Sequence, residues 1–247
     1  EIHAPGFPRI EVITQPGGGP FRGGVGINFY DSALDGLNPL VSQKGPAQSK
    51  QYNTYVSGTA IPEKLGYYLQ FFGTDTYSTP IEYLNTPDGR IARTASIRSP
   101  NRQASFGGGF DYALTKDQVL RGSVSRFGFK NGNLGVGAYN QVDRAYSTTN
   151  DNTNLSIQQM GPLGRRFATN TRLSVSWSDE TNTSAVEAPT IVIVEATTIG
   201  GAQQRGGTHT RSFTLGSDLD YVRGRHSVRT GIQLDGSSYR SDATSNY

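Results

Sequence analysis

Asp218 and Asp220 stand two residues apart, and two carboxylates on one strand face can divide acid and base work between them. The same spacing also serves a row of wall charges on an extended strand, and the alternation around them favours that reading. The three histidines, His3, His209 and His226, share no spacing that would bring their rings to one metal ion. His226 falls in the turn-like stretch RGRH, where a solvated side chain is expected. No Gly-x-Ser-x-Gly elbow, no His-Glu-x-x-His pair and no phosphate-binding loop occurs. GGGP at Gly17 lacks the Lys-Ser/Thr pair that a phosphate cradle needs, and FGGGF from Phe106 reads as small residues on a strand where neighbours crowd. RFGF at Arg126 is shorter than the aromatic set of an RNA-binding strand. The expectation is a protein that is not an enzyme and uses no cofactor and no metal.

Composition narrows the class. The 247 residues include 31 Gly, 12 Pro, 13 Tyr and 11 Phe but no Cys, so no disulfide framework is possible. Hydrophobic residues make up 34% and mean hydropathy is −0.50, lean for a packed core of this size. The net charge of +3 is spread along the chain without a basic stripe, which argues against a nucleic-acid partner. No apolar run approaches the roughly 20 residues of a membrane helix, and the best cluster, Ile191–Val194, is far shorter. The chain reads as a segment of a longer protein.

The elements that must position these residues are strands. Helical periodicity is absent, whereas period-2 alternation predicts strands over about 9–14, 21–30, 51–59, 66–74, 104–114, 119–129, 152–160, 165–178, 211–222 and 227–239. Short connections (15–20, 60–65, 115–118, 161–164, 223–226) alternate with long polar ones (31–50, 75–103, 130–151, 179–210). Lys130–Asn152 and Asp179–Ala185 read as exposed, mobile loops. This rhythm suits an antiparallel up-and-down transmembrane β-barrel segment, with tight turns at one rim and long loops at the other.

Alternation within the strands assigns their faces. Phe213, Leu215, Leu219 and Tyr221 oppose Thr214, Gly216, Asp218 and Asp220. Leu173, Val175 and Trp177 oppose Arg172, Ser174 and Ser176; Leu120 and Val124 oppose Arg121; Val228, Ile232 and Leu234 oppose Arg229, Gln233 and Asp235. An oily side facing lipid and a charged side facing a lumen would explain the low hydropathy. Arg121, Arg172, Asp218, Asp220, Arg229 and Asp235 are then the expected lumen-facing residues. Aromatics of one parity recur near opposite strand ends: Phe21 with Phe29, Phe167 with Trp177, Phe213 with Tyr221. Together with Tyr67 and Phe71 they are the expected membrane-interface residues. Phe106, Tyr112, Phe127 and Tyr239 also fall near the rims of the expected strands.

A resemblance joins this reading at PRIEVITQPGGGPFRGGVGINFYDSALDGLNPL, Pro8 to Leu40. The stretch resembles the plug-to-barrel junction of TonB-dependent outer-membrane receptors of the Oar-like branch. Ile10, Glu11, Val12, Thr14, Pro16 and Gly17 match its closing plug strand; Phe21 and Gly23 match the opening barrel strand; Asp31, Leu34, Asn38 and Pro39 match the loop that follows. GRHSVRTGIQL, Gly224 to Leu234, is similar to a turn-and-strand of the same branch, and Ser57, Gly58 and Ile61 to one of its hairpins, with Thr59 and Ala60 where that hairpin carries Pro. The resemblance implies a plug remnant over 1–20, about nine of 22 barrel strands over 21–247, and a place in a bacterial outer membrane. It also implies TonB as a periplasmic partner acting through a plug region outside this chain, and an unknown bulky extracellular solute such as a siderophore or oligosaccharide. Two other readings stay open. One is a soluble or surface-attached β-sandwich with an adhesive or glycan-binding role, which requires a core closed between two sheets. The other is a barrel without transport function.

Overall fold

A computed structural model of the chain describes residues 19–36, 44–194 and 196–244. Thirteen strands occur among them: β1 (Arg22–Asp31), β2 (Gln48–Ile61), β3 (Leu65–Ser78), β4 (Ile81–Thr86), β5 (Gly89–Thr94), β6 (Ser99–Ala113), β7 (Val119–Leu134), β8 (Tyr146–Leu163), β9 (Phe167–Ser184), β10 (Ile191–Ile193), β11 (Thr197–Ile199), β12 (Arg205–Arg223) and β13 (His226–Ser241). No α-helix is present among the described residues. Nine strands form one antiparallel sheet in the order β1-β2-β3-β6-β7-β8-β9-β12-β13, in which every strand pairs with its neighbours along the chain once the hairpins β4–β5 and β10–β11 are set aside. Among the described residues the sheet does not close: β1 pairs only with β2, and β13 only with β12.

The sequence explains why these strands turn where they do. The tight connections reverse the chain in two to five residues, helped by left-handed backbone at Gly164 (φ 70°) and Gly224 (φ 60°), which glycine adopts without a Cβ penalty. All four tight turns lie at one rim and all four long links at the other, as the antiparallel order requires.

The strands expected over 21–239 are all present, but most run further than alternation indicated. β8 and β9 have 18 residues each and β12 has 19. The segments Lys130–Leu134, Tyr146–Asn152 and Asp179–Ser184 are strand, not loop. Their side chains are polar on both faces, so period 2 disappears from the hydropathy while the backbone ladder continues. The links observed are correspondingly shorter: 32–47, 79–98, 135–145 and 185–204. The strand expected over 9–14, and the plug remnant apart from Gly19 and Pro20, lie outside the described residues.

No second layer covers the sheet among the described residues. Among the described residues the only buried apolar side chains are Ala95, Ala145 and Ala202, and all three belong to the long links. Leu215 is 42% and Ile232 80% exposed, so the face-to-face packing that a sandwich demands of such residues is not found.

Candidate functional site

Register carries one face across all nine strands. Leu215 pairs with Leu173 and Leu234, Leu173 with Ile157, Ile157 with Gly122, Gly122 with Phe110, Phe110 with Tyr67 and Tyr67 with Gly58. Partners opposite one another share a face, so this apolar face is continuous from β1 to β13. Phe21, Phe29, Tyr67, Phe71, Phe167, Trp177, Phe213 and Tyr221 all stand on it. Phe21, Tyr67, Phe167 and Tyr221 sit toward the tight turns, where the rings of Phe167 and Tyr221 lie 5.0 Å apart. Phe29, Phe71, Trp177 and Phe213 sit toward the long links. Phe127 and Tyr239 are corrections: register puts them on the opposite face, paired with Ser105 and Thr210.

Above the second set of aromatics the apolar face becomes charged, with Lys50, Asp75, Arg102 and Lys130 lying side by side on four adjacent strands. Asp151, Asp179 and His209 continue this on β8, β9 and β12, and His209 Nδ1 lies 2.6 Å from Asp179 Oδ1. The apolar zone therefore has a sharp upper limit.

That limit slides along the strands. In β12 it is Phe213; in β1 it is Phe29, which register aligns with Gly207, six residues further along β12. Six residues at about 3.3 Å give roughly 20 Å of slip across seven strand spacings of about 4.8 Å, an inclination of about 30°.

The opposite face is a wall of fixed polar pairs. Arg121 meets Asp111 at 3.0 Å and Arg172 meets Asp218 at 3.1 Å. Arg229 grips Asp220 through two nitrogens at 2.5 and 2.8 Å, and Asp235 accepts from Gln233 at 2.7 Å. Ser123–Ser156 (2.7 Å), Ser176–Ser212 (2.6 Å) and Gln158–Asn170 (2.9 Å) fill the intervals. The six charged residues singled out by alternation all stand here, spread over β7, β9, β12 and β13. Asp218 and Asp220 each hold a separate guanidinium, Arg172 and Arg229.

A second polar assembly joins the long links, and sequence reasoning missed it. Segment 137–141 lies between the two hairpins. Tyr83 N–H donates to the Ala138 carbonyl at 2.6 Å and Ala138 N–H to that of Ile81 at 2.8 Å. Gln141 N–H donates to the Thr198 carbonyl at 3.0 Å, and Thr198 N–H to that of Tyr139 at 2.8 Å. Glu82, 1% exposed, accepts from Arg93 Nε at 2.9 Å, and Arg93 Nη2 donates to Gln141 Oε1 at 3.0 Å. Arg144 donates to Thr190 Oγ1 at 2.5 Å and to the Gly201 carbonyl. Arg90 stands over the rings of Tyr83 and Tyr139 at 5.5 and 5.6 Å. At the end of β1, the Asp31 carboxylate accepts from the Ala33 N–H at 2.8 Å and from Gln48 Nε2 at 3.0 Å. The one available signal for this assembly was Pro87-Asp88-Gly89 between two alternating runs, a hairpin signature.

The described residues contain no cluster of His, Asp or Glu able to hold a metal ion. No family model matches the chain, and neither a curated protein nor a solved structure matches it at a significant level.

Proposed function

We propose that the nine-stranded sheet is part of a transmembrane β-barrel in a bacterial outer membrane, and that the barrel is a TonB-dependent receptor importing a bulky solute. The observation that carries the membrane reading is the uncovered apolar face. It runs over nine strands, is edged by aromatics and ends abruptly at charges. In water such a surface would exceed by far what a soluble monomer exposes; in hydrocarbon it is the expected covering. The inclination of about 30° lies close to the 35–45° strand tilt of such barrels. Tight turns then face the periplasm and the linked loops face outward. The polar wall lines the lumen, with three carboxylate–guanidinium pairs and Asp235 held by Gln233.

The transport reading rests on the resemblance at residues 8–40 and 224–234, together with this architecture. The polar wall offers hydrogen-bonding groups to a solute, with most of its charges already paired.

The single tryptophan, Trp177, is a built-in probe. With the parent protein reconstituted into vesicles, phospholipids brominated along the acyl chain should quench most of its fluorescence. Absence of quenching in a protein that remains soluble without detergent would refute the membrane reading. Loss of solute uptake on disabling TonB tests the transport part separately.

A further inference from the structure

The apolar face is not smooth at its upper limit. Between β2 and β8 it holds a groove of about 430 Å³, lined among others by Tyr52, Phe71, Ala104, Phe106, Arg102 and Lys130. Its floor is formed by the small residues Ala104 and Gly128, with Tyr52, whose ring covers Gly73, at one end and Asp151 at the other. Below the floor lie Phe71 and Phe106, register partners on adjacent strands; the Tyr52 ring stacks on Phe71 with centroids 6.1 Å apart. Above it stand Asp75, Arg102 and Lys130 in one row.

The charges of this rim are unequal. Arg102 is paired with Asp75 at 3.5 Å and Arg126 with Asp151 at 3.1 Å. Lys130, and Lys50 beside Asp75, have no carboxylate within ion-pair distance among the described residues. Along the groove two carboxylates, Asp75 and Asp151, thus face three cations, Arg102, Arg126 and Lys130, and Lys50 beside Asp75 adds to the positive excess. The pairs are loose: Arg102 is 70% and Arg126 65% exposed, so both guanidiniums keep donors free for another acceptor.

From this we infer a binding site for a phosphorylated lipid of the outer leaflet, with its phosphate against Lys130 and Arg102 and an acyl chain along Phe71, Ala104 and Phe106. The chemistry fits at both ends. A doubly ionisable phosphate presents several strong acceptors to Arg and Lys donors, and the hydrocarbon continues past the small Ala104 along the Phe71 and Phe106 rings. The inference rests on the membrane reading, since only a lipid-facing sheet brings headgroups to this height.

The test uses the full-length parent protein in detergent micelles, with native mass spectrometry counting lipid adducts. A diphosphorylated glycolipid should bind about tenfold more tightly than its dephosphorylated counterpart, the equivalent of one charge-assisted contact. K130Q and the double variant K130Q/R102Q should lower that affinity stepwise towards the dephosphorylated value, while K116Q, at the tight-turn rim, leaves it unchanged. Heat-modifiable mobility of each variant verifies folding, and K130Q, which breaks no ion pair, covers the case where R102Q destabilises the barrel. Equal affinity for both glycolipids, unchanged binding by K130Q, or competition by inorganic phosphate as effective as by the lipid would each overturn the site while leaving the barrel intact. If the barrel reading itself fails, Trp177 is not quenched and the protein needs no detergent.

Discussion

Glycines in this sheet lie beneath side chains from neighbouring strands. A Cβ on Gly109 would sit 2.7 Å from the Gly122 carbonyl oxygen and 2.7 Å from the Tyr68 ring, and one on Gly122 would meet the Phe110 ring at 2.4 Å. FGGGF is thus a crowded stretch of strand, the reading its composition suggested. Because a backbone atom is among the obstacles, Gly109→Ala cannot be relieved by a rotamer change alone. It should destabilise the folded protein by about 1–3 kcal/mol, the range of overpacked sites, seen as a lower urea midpoint in refolding followed by gel mobility. An unchanged midpoint would show that β6 and β7 separate more readily than their register implies. The charged residues of the polar wall were also legible, because alternation puts Arg121, Arg172, Asp218 and Asp220 on one side whatever the neighbouring strand is. Their pairing was not: Arg172 finds Asp218 at a sequence distance of 46, which only register supplies.

At the scale of elements, period 2 identified the strand wherever one face is oily and the other wet. It failed above Phe213 and Trp177, where both faces are polar while the backbone ladder continues, joined by side-chain pairs such as His209 with Asp179. It failed again in the links, whose order comes from contacts between distant segments. Glu82 shows how such order is held. Its carboxylate is buried, and through Arg93 it reaches Gln141, whose backbone pairs with Thr198. The three links should therefore loosen together. Glu82→Gln removes the charge that Arg93 neutralises and leaves a partly desolvated guanidinium. Amide exchange over 81–94, 137–141 and 197–199 should speed up together by about an order of magnitude, as loss of one buried charged hydrogen bond implies. Exchange in the lower halves of β8 and β9 should stay the same. Faster exchange confined to β4 and β5 would show that the hairpins move independently.

For the whole molecule, the decisive feature is that β1 and β13 each carry an edge unpaired among the described residues. Ile232, 80% exposed, and Val25, 79% exposed, lie on these edges and add oily surface to unpaired backbone. Open edges of this length pair with other chains, and in hydrocarbon their unpaired amides are intolerable. The 247-residue chain refolded alone in plain buffer should sediment as aggregate. Recovery as a soluble monomer would mean that the apolar face has found another cover.

The strands outrun the oily zone. From Phe213 to Arg205, β12 climbs eight residues past the last lipid-compatible side chain, which at about 3.3 Å each and a tilt near 40° is roughly 20 Å of vertical rise. A headgroup layer is only about 5–8 Å deep on each side. In the proposed barrel, the braced loop assembly would thus ride on a stiff collar well clear of the bilayer surface, within reach of large visitors such as antibodies or proteases on an intact cell.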